Sequence, residues 1–158
     1  LKFGGGLDDV WENTNTGQLH IVDYKSTAQM SNTPKPLDES FIAPPLDPRT
    51  PDYKASYRRQ MEMYQWILRR KGYDVSDTGY FLYVDGQHVH EQGMIDSKNT
   101  QLAWMKFNTS IIPYKGNDSW VESALYKAKE VVQLPHCPDH AEDCEYGNFL
   151  QQVKSIGA

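Results

Sequence analysis

The sequence predicts an α/β (α+β) domain: a small mixed central sheet flanked by helices. Three observations predict it. Two strand-like runs lie on either side of a turn-forming segment near the N-terminus, one strongly helical stripe follows, and two further strand-like runs precede a second helix. The order is strand, strand, helix, strand, strand, helix. At 158 residues with ten Tyr, five Phe and four Trp, the chain suits one domain over residues 1–158 with an aromatic-rich core.

The first strand falls near Asp8–Glu12, and Asn13-Thr14-Asn15-Thr16-Gly17 is dense in turn formers. Gln18–Lys25 is β-branched and aromatic-rich, so the two runs read as a hairpin. Residues 33–51 hold six of the nine prolines. Proline fixes φ and removes a ladder donor, so this is irregular chain, either a plain insertion or a lid over a site. From about Tyr53 to Lys71, Tyr57, Met61, Tyr64 and Leu68 recur at spacings of four, three and four, one stripe of a helix. Arg69, Arg70 and Lys71 suit its last turn and Gly72 its end.

Thr78–Val84 reads as a buried strand, and Asp85-Gly86 as a hairpin turn ending it, with His88 and His90 on the far side as surface residues of the next strand. Leu102–Tyr114 is a further strand. Asp118 or Ser119 is expected to cap a second helix reaching about Leu134. Trp104, Phe107, Trp120 and Tyr126 are expected in the core, since few basic residues interleave them. Residues 135–158 form a C-terminal tail.

The charge count is 16 basic against 21 acidic residues, a net of −5, which excludes coating of nucleic acid by bulk charge. The balance is uneven, however. Residues 1–79 carry 10 basic and 11 acidic groups, while 54–71 carry Lys54, Arg58, Arg59, Arg69, Arg70 and Lys71 against Glu62 alone. A focused basic surface on the helix is compatible with that, as is a merely solvated helix back. No run reaches the ~18–20 apolar residues of a membrane span, and no membrane partner is expected. Two cysteines are too few for a disulfide framework, and a cytoplasmic location is favoured. Leu1 opens the chain with no leader pattern behind it, and the expectation is a fragment whose natural upstream sequence is absent.

Asp23 and Lys25 lie two apart on a strand and so share a face. Alone, such a pair is a surface ion pair worth ~0–1 kcal/mol. If the hairpin forms, though, Asp8 and Asp23 converge near one strand end. Two carboxylates in a small volume repel, and a hard divalent cation such as Mg²⁺ resolves the conflict. A neighbouring lysine then serves the attacking water or the charge on a phosphate. Gln60 and Tyr64 are one helical turn apart and point the same way.

In that order, Gly5-x-x-Asp8, Ile21-Val22-Asp23-Tyr24-Lys25 and Gln60-x-x-x-Tyr64 resemble the three motifs of the PD-(D/E)XK nuclease superfamily, nearest its RecB-like branch. The resemblance covers about residues 4–84. It implies a restriction-endonuclease-like core and metal-dependent, exonuclease-like hydrolysis of DNA in a repair, recombination, phage or defence setting. A helicase or recombination protein is the implied partner. Asp8, Asp23 and the backbone carbonyl of Tyr24 would hold Mg²⁺ or Mn²⁺, with Asp9 as the alternative to Asp8. Lys25 would complete the catalytic set, while Gln60 and Tyr64, with Arg58 and Arg59 of the basic helix, would shape the site and meet DNA. The alternative is a catalytically degenerate binding or assembly module of the same fold.

The family also carries a helix before the first strand, with a Glu or His facing the metal, which this chain does not contain. Some RecB-like members hold an iron–sulfur cluster on four cysteines, and two cannot hold one. His136, Cys137, His140 and Cys144 have the ligand types of a zinc site but not the spacing of a finger, so a surface tail is the preferred reading and zinc the alternative.

Overall fold

The computed structural model describes residues 2–29, 33–87 and 94–156. Chain contacts divide these into two compact units, Lys2–Val121 and the residues from Glu122 on. The larger unit holds a four-stranded mixed sheet in the order β1-β2-β3-β4, from β1 (Asp9–Glu12), β2 (Leu19–Thr27), β3 (Thr78–Gln87) and β4 (Lys106–Lys115). β1 and β2 are the expected antiparallel hairpin, with Asp9 opposite Val22. β2 and β3 run parallel, which requires a long crossover. That crossover carries a short helix, α1 (Glu39–Ile42), and the main helix, α2 (Ala55–Arg70).

α2 forms where its apolar stripe predicts. Met61 is fully buried, and Tyr57, Tyr64 and Leu68 pack against the core of Ile21, Ile42, Val75, Phe81, Tyr83 and Ile112. Each such large apolar side chain contributes about 1.5–3 kcal/mol of burial. The helix ends in a Schellman motif: Gly72 N–H donates to the Arg69 carbonyl (2.9 Å) and Tyr73 N–H to that of Leu68 (3.2 Å). Gly72 takes φ 91°, a conformation that favours glycine there.

Two expectations are corrected. Asp85-Gly86 is not a turn: β3 runs through it to Gln87, with Asp85 opposite Asn108 and Gly86 opposite Phe107. The returning β4 supplies partners that outweigh the local dipeptide preference, and Gly86 does not adopt positive φ. The expected His88/His90 strand lies outside the described residues. Trp104, Phe107 and Tyr126 are exposed rather than core, and Trp120 is only half-buried. The proline-rich stretch is irregular but anchored, because α1 buries Ile42 in the core and sets Phe41 edge-on to Tyr83, centroids 5.2 Å apart.

A 3₁₀ turn at Asp118–Trp120, which Asn117 caps through its side chain, lies in the larger unit, and the second unit holds α3 (Val121–Val132) from Glu122 on. The expected tail contains a further helix, α4 (Glu145–Ile156). No helix among the described residues is long and apolar enough to cross a membrane.

Candidate active site

The site forms where β2 outruns β1. Their ladder stops at Asp9–Val22, so Asp8 stands beside the next β2 residue, Asp23. The Asp8 carboxylate turns over the strand end and accepts from Tyr24 N–H through Oδ2 at 2.8 Å. A strand residue directs its N–H and C=O to the same side, so the Tyr24 carbonyl also faces this edge, past the last rung of the hairpin. Ile21, Asp23 and Lys25 share the sheet face that packs against α2. Asp23 is therefore taken into the core, only 3% exposed.

Lys25 neutralises it in part, with Nζ in an ion pair with Asp23 Oδ2. Burial still holds the Asp23 carboxyl above the ordinary carboxylate range. Lys25 opposes that shift, and the neighbouring Asp8 charge adds to it. Asp23 Oδ2 is buried, and the Lys25 ammonium is its partner there. Lys25 Nζ also donates to Gln60 Oε1 (3.3 Å) and lies 4.8 Å from the Tyr57 ring centroid. Gln60 Nε2 in turn donates to Tyr64 Oη (3.0 Å). Tyr64 lies against Gly5: a Cβ built there would come within 2.7 Å of the Tyr64 ring. Only glycine lets the N-terminal segment cross the ring at that height.

A chain of contacts thus runs from Gly5 through Tyr64, Gln60 and Lys25 to Asp23, with Asp8 beside Asp23. Residues from three separated segments of sequence meet at one end of β2. The geometry also separates Asp8 from Asp9. Both Asp9 oxygens are occupied, Oδ1 by Val10 N–H (2.8 Å) and Oδ2 by Trp11 Nε1 (3.1 Å) and Tyr24 Oη (2.8 Å). These donors, Tyr24 foremost, pull the Asp9 carboxyl below its ordinary range. Asp9 braces the hairpin, and Asp8 retains an oxygen for a ligand.

The donor set at this point consists of two carboxylates and a carbonyl, hard oxygen ligands of the kind that suit Mg²⁺ or Mn²⁺. A buried carboxylate with a second carboxylate beside it fits such a cation. No three His, Cys, Asp or Glu side chains among the described residues are grouped to hold a metal ion. The protein ligands here would therefore be few, and water or phosphate oxygens would complete the shell, as is usual for Mg²⁺.

Other candidates are not brought to the site. Arg58 is buried, ion-paired with Asp52 and donating to the Ile42 carbonyl at 2.5 Å, so it clamps the loop after α1 onto α2 and is not free for phosphate. Arg69 is likewise committed to Asp77 and Asp118. The basic excess of the helix is thus smaller in space than in sequence, although Arg59 remains exposed. The four zinc candidates of the tail are not assembled: Cys137 is exposed, Cys144 Sγ accepts from Gly147 N–H (3.4 Å), and His140 Nδ1 faces the Ala141 carbonyl (2.9 Å). Two aromatic side chains of the site, Tyr57 and Tyr83, carried no signal in sequence beyond a core pattern.

No protein-family model matches the chain, and no curated protein or solved structure matches it.

Proposed function

We propose that this chain is a metal-dependent nuclease domain that hydrolyses phosphodiester bonds in DNA, with a site of the PD-(D/E)XK kind. The observation that carries the reading is the closure of three sequence motifs into one contact chain around Asp23, a carboxylate that is buried and raised in pKa beside a second carboxylate. A protein seldom retains such a group without a functional reason.

Asp8, Asp23 and the Tyr24 carbonyl would hold Mg²⁺ or Mn²⁺. When bound, such an ion supplies Lewis-acid polarisation of the phosphate and a more acidic water. The residues do the rest. Asp23 and Gln60 take two directions of the Lys25 ammonium, leaving a third N–H for the attacking water or a non-bridging phosphate oxygen. Gln60, held by Tyr64, fixes the lysine's rotamer, and Gly5 admits the segment that delivers Asp8. In the hydrolysis, water oxygen bonds to phosphorus, the bond to the departing sugar oxygen breaks, and that oxygen receives a proton as the alcohol leaves. One water is consumed and no redox partner is needed.

The test is cleavage of labelled DNA with Mg²⁺ or Mn²⁺, together with titration of Mn²⁺ into the protein. Cleavage that disappears in Asp23→Ala and Lys25→Ala is expected. DNA left intact with both metals, and no Mn²⁺ bound that Asp23→Ala removes, overturns the reading. DNA binding without metal binding identifies the degenerate binding module instead.

A further inference from the structure

One cation beside the site has no part in the chemistry above. Lys54, immediately before α2, places Nζ 4.5 Å from the Phe41 ring centroid, 5.0 Å from that of Tyr57 and 5.6 Å from that of Tyr83. It donates to Tyr83 Oη at 3.5 Å. Among the described residues no carboxylate forms an ion pair with it. The Tyr57 ring is shared, because Lys25 Nζ approaches the same centroid to 4.8 Å. Lys35, from the proline-rich loop, contributes a third positive charge. Burial first, then Lys25 and Lys35, pull the Lys54 ammonium below the ordinary lysine range.

Aromatic faces repay only part of the cost of drying an ammonium, and the Asp23 carboxylate is paired with Lys25 rather than with Lys54. The start of α2 does not relieve this, since its first turn has no acidic residue. An anion would relieve it. The ammonium is a compact donor matched to phosphate oxygen, and the half-buried Phe41 and Tyr57 rings beside it offer apolar surface to a base or sugar. A strand seated on Lys25 by one phosphate passes the aromatic ring that Lys25 and Lys54 have in common.

We propose that Lys54 is a phosphate-binding subsite that holds the nucleic-acid strand beside the phosphate being cut. Lys54 is then a strand-positioning residue, and the inference rests on the nuclease reading for which strand it holds. It sets where along the strand cleavage falls, because the distance from Lys54 to Lys25 is fixed by the Tyr57 ring between them.

The experiment titrates a fluorescein-labelled oligodeoxythymidylate by anisotropy, without divalent metal so that nothing is cut, over a series of salt concentrations. Lys54→Met keeps the apolar stem among the rings and removes the charge, whereas Lys54→Arg keeps the charge. Lys54→Met is expected to weaken binding about tenfold and to lower the slope of log Kd against log salt by about 0.7, one phosphate contact on a single strand. Lys54→Arg retains the slope, and the melting temperature of Lys54→Met does not fall. Lys54→Gln, which removes the charge on a shorter stem, lowers the slope in the same direction and serves as the second variant. An unchanged slope in both Lys54→Met and Lys54→Gln, or a marked fall in the melting temperature of Lys54→Met, overturns the subsite. Cleavage by the wild type with Mg²⁺ or Mn²⁺ is read separately, so failure of the nuclease reading and failure of the subsite are told apart.

Discussion

α2 carries a polar network on each of its two halves, and they differ in how far they are satisfied. Toward the C-terminal half, buried Glu62 accepts from Tyr114 Oη (2.6 Å), Asn117 N–H (3.1 Å) and Trp120 Nε1 (2.6 Å). Gln65 Nε2 donates to the Ser76 and Asp77 carbonyls, and Arg69 reaches the Val75 carbonyl, Asp77 and Asp118. One atom there, Gln65 Oε1, lacks a hydrogen bond. At the N-terminal half, Asp23 is raised in pKa even with Lys25 as its partner, and Lys54 is an ammonium among rings with no acid paired to it among the described residues. A network built for stability closes on itself. One built for a ligand leaves charge to be completed by what binds.

The largest expected effect is on chemistry. Asp23→Ala should cut the cleavage rate about 10³-fold or more while leaving the fold intact. Mg²⁺ should raise the melting temperature of the wild type and leave that of Asp23→Ala unmoved, as ligand linkage requires. Equal metal-induced shifts in the two would place the cation elsewhere. At the other network the effect should reverse. Glu62→Ala leaves a phenol, an indole and a backbone N–H without their acceptor, and should cost about 3 kcal/mol by urea denaturation with cleavage per folded molecule unchanged.

A third prediction concerns the boundary between the networks. Burial pushes Tyr83 up to about 12, with Tyr57 and Asp23 adding to it. The folded value lies above the unfolded one of about 10, so its contribution is whole below pH 10 and is lost as pH rises through 12. Alkaline melts should show a loss of about 2 kcal/mol over that window, and Tyr83→Phe should diminish it. The smallest effect should be Gly5→Ala. The new methyl group meets the Tyr64 ring, so activity should fall about tenfold, about 1.4 kcal/mol in barrier, with little change in melting temperature because the Gly5 segment is exposed. A loss of stability as large as that of Glu62→Ala would make Gly5 part of the scaffold.

Much of the fold was legible because its signals are local. The turn formers at 13–17 gave the hairpin, the stripe from Tyr57 to Leu68 gave α2, and Gly72 gave its end. Asp85-Gly86 misled because its turn preference is also local, and strand pairing with a segment more than twenty residues on overrode it. The tail helix α4 was missed because residues 135–158 read as tail rather than as a periodic stripe. Of the site, the spacing of Asp23 and Lys25 placed both on one face, and hairpin formation brought Asp8 alongside.

By itself the sequence determined which residues could meet, since strand period, helix period and turn chemistry are properties of neighbours along the chain. Only the tertiary structure decided which charges remain available. Arg58 and Arg69 look like Arg59 in sequence, yet Asp52, Asp77 and Asp118 neutralise the first two. Asp9 looks like Asp8, yet the Tyr24 hydroxyl engages one of them and the Tyr24 N–H the other. Burial and pairing depend on where distant segments return, and electrostatic free energy depends on burial and pairing more than on residue type.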